Sequence, residues 1–132
     1  MVARLGAGCS RSVCGNTTRR RRLKVKVAYV AGPYSAVTRQ QRDRNIALAD
    51  EVGRELMRRG YAPIVPHNNC ARWDDDARFN YGDFIRADLA ILSRCDLLVA
   101  VGDWRRSEGA RCEVQHALQR GIPVYYGLEA VP

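Results

Sequence analysis

The sequence predicts an α/β domain built as a three-layer open parallel sheet of four strands, with helices on both faces. Three observations point there. Short β-branched runs recur along the body: VKVAYVA at 25–31, APIVPH at 62–67, DLLVAVG at 96–102 and IPVYY at 122–126. Between successive runs lie stretches with helical apolar spacing, and strands joined by such helices form right-handed crossovers between parallel neighbours. At 132 residues with 46% apolar content, the chain has the size and composition of one globular domain.

Taken in order, VKVAYVA reads as a buried first strand ended by Gly32-Pro33. A helix is expected from about Arg39 to Arg59, with Ile46, Ala49, Val52, Leu56 and Met57 on its packing face and Gly60 as a stop. APIVPH is a second strand, broken by Pro66. Residues 68–82 have no period and form a loop long enough to suggest function or mobility. FIRADLAILSRC, 84–95, is a helix packing through Ile85, Leu89, Leu92 and Cys95. DLLVAVG is the third strand. Residues 108–120 form a helix with Ala110, Val114, Ala117, Leu118 and Gly121 inward and Arg111, Gln115 and Gln119 outward, and IPVYY closes the sheet. The pattern is Rossmann- or flavodoxin-like in architecture, although AGP at 31–33 is no GxGxxG dinucleotide fingerprint.

Charge divides the chain. Residues 1–24 hold seven of the 22 basic residues and none of the 14 acids, which leaves 15 bases against 14 acids in the rest. A basic, Gly/Ser/Thr-rich extension over 1–24 is expected to be disordered, and a domain to fill 25–132. Three readings of the extension stand: a solvated segment, a phosphate-binding arm through Arg19–Arg22, or a targeting leader. Nucleic acid is a partner only through that segment. No unbroken run of 18 apolar residues suggests a membrane span. Five cysteines without a CxxC pair, and two distant histidines, support neither a disulfide framework nor a zinc site, and a reducing cytoplasm fits.

Two acids interrupt apolar stripes. Glu113 lies three residues after Ala110 and four before Ala117, and Asp88 three after Ile85 and four before Leu92. A buried carboxylate costs several kcal/mol unless it is paired, so two on inward faces suggest a polar site. In open parallel sheets ligands collect beyond the carboxyl ends of the strands, where strand order reverses. If the first and third strands are neighbours, that crevice lies between Gly32-Pro33-Tyr34-Ser35 and the stretch Gly102 to Ser107. Structural readings compete: a helix-dipole contact for Glu113, an Arg86 or Arg94 partner for Asp88, and an N-cap for Ser107. Ser107 with the following backbone N–H groups at Gly109 and Ala110 is equally a phosphate cradle, to which Arg39, Arg42, Arg105 and Arg106 can add charge. His67 either faces the crevice or is a hydrogen-bonded structural histidine. His116, one turn beyond Glu113, either touches it or is exposed. Trp104 is wall or core, Trp73 and Phe79 are lid or packing, and Asp74 to Asp76 are a solvated charge run or a cation site.

The combination VAYVAGPYS, YAPIVPH, DLAILSRCDLLVAVGDW and SEGARCEVQHALQRGIPV resembles the nucleoside 2-deoxyribosyltransferase-like superfamily, which includes nucleoside 5′-monophosphate N-glycosidases. The resemblance covers about residues 25–126. It implies that Glu113 is the carboxylate attacking the anomeric carbon, Asp88 an acid at the sugar or base, and Tyr34 part of the nucleoside wall. Transferases of this kind tend to carry an acid where this chain has Ser107, so the serine leans toward a monophosphate. A nucleotide or nucleoside substrate, no metal or other cofactor, a homo-oligomer, and a sheet of four strands or five are further implications. A noncatalytic nucleotide sensor of the same fold is the alternative.

Overall fold

The computed structural model describes residues 24–70 and 72–132. The basic extension expected over 1–24 thus falls outside the described residues except for Lys24. Strand β1 (Val27–Ala31) leads to helix α1 (Arg39–Arg58), strand β2 (Ala62–Ile64) and a short helix α2 (Pro66–Asn69). Helix α3 (Tyr81–Leu92), strand β3 (Leu97–Ala100), helix α4 (Glu108–Gln119) and strand β4 (Val124–Tyr126) follow. A 3-10 turn (Trp104–Arg106) links β3 to α4.

All strand pairs are parallel, in the order β2-β1-β3-β4. This is the three-layer α/β fold that the alternation of strands and helices predicts. β1 aligns Ala28 to Ala31 with Leu97 to Ala100 of β3. Because the chain leaves β1 for one edge and then returns across it to β3, the two central strands diverge in connection at their carboxyl ends. That divergence opens the crevice.

Both faces of the sheet are covered, which is why β1 and β3 read as continuous apolar runs rather than alternating ones. On one face Ala28, Val30, Leu97, Val99 and Val101 pack under Ala49, Val52 and Leu56 of α1, with Val131 filling the side. On the other, Tyr29, Ala31, Leu98 and Ala100 meet Leu92 at the end of α3, Cys95 in the turn after it, and Val114 and Ala117 of α4.

Several expected boundaries shift for local reasons. Met57 is exposed, and Gly53 takes its place on the packing face of α1. Strand β2 stops at Ile64 because Pro66, whose fixed φ suits a first helical position, starts α2, so His67 is helical. Helix α3 begins three residues early at Tyr81 and ends at Leu92, since Asn80 and Asp83 form a reciprocal capping box. Leu118 lies outward, 58% exposed, so the buried side of α4 is Ala110, Glu113, Val114 and Ala117.

Gly102 turns the chain out of β3 with φ of 59°, and a Cβ there would lie 2.9 Å from Leu48 Cδ2. The exposed Leu48 tip can move aside, so the left-handed backbone carries the penalty, and Gly102→Ala is expected to lower stability by about 1–3 kcal/mol. Urea unfolding of the two proteins measures it.

Candidate active site

A cleft of about 540 Å³ opens beyond the carboxyl ends of β1 and β3. Its floor is Gly32 and the start of α4, one side is the Tyr34 loop with α2, and the other is α3 with the loop before it.

Glu113 is placed by the register of α4. Burying Val114 and Ala117 against β1 and β3 turns the Glu113 side chain inward, where it is 5% exposed and lines the cleft. Tyr29, at the middle of β1 and fully buried, donates its hydroxyl to Glu113 Oε2. Burial pushes the Glu113 carboxyl up to about 8, with the Tyr29 hydrogen bond pulling down and the Asp88 charge adding to the rise. The Tyr29 phenol is itself pushed far above its ordinary range by burial and by the Glu113 and Asp88 charges, so it stays a donor.

Asp88 reaches the same cleft from α3. Neither arginine proposed as its partner is engaged with it: Arg86 pairs with Asp83, and Arg94 donates to the Ala90 carbonyl. Half-buried, its carboxyl is raised to about 6 by loss of water. The cleft therefore holds two carboxyls that both retain protons more strongly than ordinary acids.

Ser107 caps α4 by accepting from the Ala110 N–H at 3.2 Å, and it also lines the cleft with Gly109 and Ala110. An accepting cap leaves the hydroxyl proton available but takes up the Ala110 N–H, so a cradle here rests on the Ser107 hydroxyl and the Gly109 N–H. Arg106 lines the cleft beside it. Across the mouth, Tyr34 donates to Asp74 Oδ2 at 3.0 Å, and Arg42 reaches the same oxygen at 3.4 Å. Asp74 is therefore a tie between the loop before α3 and the far rim, not merely a solvated acid. Ser35 lies exposed on that rim. His67, 7% exposed, bonds the Pro33 carbonyl through Nε2 at 2.8 Å and meets the Tyr34 ring edge-on, which makes it structurally held as well as cleft-lining.

Arg39, Pro33, Trp104 and Arg105 do not line the cleft. Arg39 is exposed at the first turn of α1, and Pro33 contributes only the carbonyl that His67 holds. Trp104 stacks on Tyr126 at 5.5 Å, the Arg105 guanidinium lies over its ring at 4.8 Å, and it packs toward the core on the α3 and α4 face. His116 turns from Glu113 to Ser93, at 2.8 Å. Phe79 joins the wall and stacks edge-on against Phe84 at 6.0 Å, while Trp73 stays outside the cleft. Tyr29, Tyr81, Phe84 and Ile85 went unread in the sequence as site residues. The signal for Tyr29 was a phenol inside a strand buried on both faces, which demands a partner. Among the described residues no three His, Cys, Asp or Glu side chains gather as a metal site, and no helix is long and apolar enough to cross a membrane.

Solved structures share this architecture. A 2-deoxyribosyltransferase from the psychrotolerant bacterium Bacillus psychrosaccharolyticus superposes with a TM-score of 0.55 and 21% identity, over 74% of this chain and 69% of its own. A conserved protein from Enterococcus faecalis V583 gives a TM-score of 0.56 and 22% identity, over 76% of this chain. This chain spans 62% of that protein's length, just under two thirds. At these identities the likeness shows the fold. Comparison with curated proteins gives no significant match. One family model, described as Domain of unknown function (DUF7768), matches residues 26–127, nearly the whole described body. On that match the chain belongs to the DUF7768 family.

Proposed function

We propose that this domain cleaves the N-glycosidic bond of a nucleoside 5′-monophosphate or nucleoside, by hydrolysis or by deoxyribosyl transfer, with Glu113 as nucleophile. The observation that carries this reading is a carboxyl buried at the cleft wall and held by the Tyr29 hydroxyl, at the switch point of the sheet. The fold shared with a 2-deoxyribosyltransferase supports it.

In the first step a Glu113 carboxylate oxygen bonds to C1′ as the C1′–N bond breaks. The bonding pair leaves with the base, which takes a proton from Asp88. Through the oxocarbenium-like passage the carboxylate charge lies against the developing positive charge, and Tyr29 fixes the other oxygen so that little reorganisation is needed. In the second step a water oxygen, or a nitrogen of another base, attacks C1′ and gives its proton to Asp88. The Glu113–C1′ pair returns to the carboxylate. Asp88 suits the shuttle because burial lets it hold a proton nearer neutrality than an ordinary aspartate.

The phosphate of a monophosphate fits at the start of α4, where the Ser107 hydroxyl proton, the Gly109 N–H and Arg106 meet. Ser107→Asp keeps an equally good cap. It is expected to leave the melting temperature unchanged and to weaken 5′-monophosphate binding about tenfold or more relative to the nucleoside, through charge repulsion. Paired titrations of nucleoside and monophosphate check this.

One feature favours a second reading, a noncatalytic nucleotide sensor: with its carboxyl raised to about 8, Glu113 is mostly protonated at neutral pH in the ligand-free cleft. A chromatographic panel of nucleosides and 5′-monophosphates, run at pH 6, 7 and 8.5 so that both the Asp88 proton and the Glu113 charge are sampled, separates the two. Liberated base supports the glycosidase. Saturable binding with no base released from any member supports the sensor and overturns the catalytic reading.

A further inference from the structure

His67 and Glu113 are buried side chains with titrating groups, and both line the cleft. The surroundings of His67 decide where its proton sits. A carbonyl only accepts, so the 2.8 Å contact with Pro33 O requires hydrogen on Nε2. Burial lowers the pKa of the ring, outweighing the help from Pro33, so the imidazole is neutral and its Nδ1 carries a bare lone pair. The Pro33 contact at Nε2 and the edge-on Tyr34 ring, centroids 5.4 Å apart, hold the ring in this orientation.

No described group bonds Nδ1. Yet no buried side-chain nitrogen or oxygen among the described residues lacks a partner. Nδ1 is therefore not sealed in protein and keeps access to the cleft that its ring lines. We propose that His67 is a specificity-determining residue whose Nδ1 accepts a hydrogen bond from a neutral N–H or O–H donor of the ligand. In a nucleoside that donor is an amino or imino group of the base, or a sugar hydroxyl. A phosphate oxygen, with only lone pairs to offer, is repelled there, which leaves the α4 end of the cleft for the anion. The inference rests on the nucleotide reading for the ligand, but not for the tautomer.

Two variants divide the work of the ring. The longer amide of His67→Gln reaches the Nε2 position and can donate to Pro33, while leaving no acceptor at Nδ1. The shorter amide of His67→Asn offers an oxygen near Nδ1 and gives up Pro33. Nitrogen NMR of the full chain labelled in histidine is expected to show the Nε2–H tautomer, with the Nδ1 resonance moving when 2′-deoxyadenosine is added. Calorimetry is expected to show that His67→Gln binds 2′-deoxyadenosine about tenfold more weakly at an unchanged melting temperature, with a smaller loss for His67→Asn. Repeating the titration with the purine 2′-deoxyriboside that lacks the amino group, and with sugar analogues lacking one hydroxyl, identifies the donor. The analogue for which wild type and His67→Gln bind alike is the one missing the contact. An Nδ1–H tautomer, or a His67→Gln variant that binds every probe within twofold of wild type, overturns the proposal. A panel in which nothing binds wild type instead sinks the nucleotide reading and the ligand half of this inference with it, and the tautomer still stands or falls on its own spectrum.

Discussion

Glu113→Gln is expected to reduce base release by about a thousandfold or more in a protein that remains folded. The amide has the shape of the carboxyl and an oxygen that still accepts from Tyr29, so the packing of α4 against β1 is retained. What is removed is the negative charge and the ability to bond C1′. Glu113→Ala is the poorer test, because it leaves a hole beside a buried phenol without its acceptor, and loss of activity then mixes with loss of structure. Initial rates from the same chromatographic assay, beside melting curves of both proteins, separate the two effects. Rates within tenfold of wild type in Glu113→Gln would remove the nucleophile from the proposal.

The second large effect concerns stability against pH. The folded value of Glu113, about 8, lies above its ordinary 4.5. Below about pH 4.5 both folded and unfolded chains hold the proton, and this group's favourable term is whole. As pH rises, the unfolded chain ionises first while the folded one retains its proton, so stability falls until about pH 8, where the folded carboxyl also ionises. Each unit of separation is worth about 1.4 kcal/mol, so the loss between pH 5 and 8 is on the order of several kcal/mol. His67, whose pKa is lowered, works the other way below its ordinary value, and Asp88 adds a loss of the same sign as Glu113. Comparison with Glu113→Gln isolates the main term. Urea midpoints at pH 5, 6.5 and 8.5 are expected to fall steeply for wild type and to stay much flatter for the variant. Parallel curves would mean that the Glu113 carboxyl keeps its ordinary pKa in the folded protein.

Much of this arrangement was legible in the residues. Alternating strand and helix signals led to the sheet, and the offsets of Glu113 and Asp88 within their apolar stripes led to the cleft, because a carboxyl on an inward face needs a polar place to go. The misreadings have a common cause. Periodicity assigns a face to each helix, but not the extent of what covers it, so Leu118 and Met57 at the stripe edges emerged exposed. Spacing along one element also says nothing of partners from another. Asp74 meeting Tyr34 and Arg42, His116 choosing Ser93 and Trp104 stacking on Tyr126 are contacts across 22 to 40 residues of chain. The early start of α3 has a local cause, the Asn80 and Asp83 capping pair, which carries no apolar period.

The covalent step is the centre of the proposal, and it can be seen directly. Protein mixed with a substrate found in the base-release panel is quenched in acid within the first turnovers, digested, and its peptides are weighed. The expected result is the mass of one pentosyl or phosphopentosyl group on the peptide carrying Glu113, absent from Glu113→Gln. Base released while that peptide keeps its unmodified mass, with the sugar attached at another residue, would contradict the assignment of Glu113.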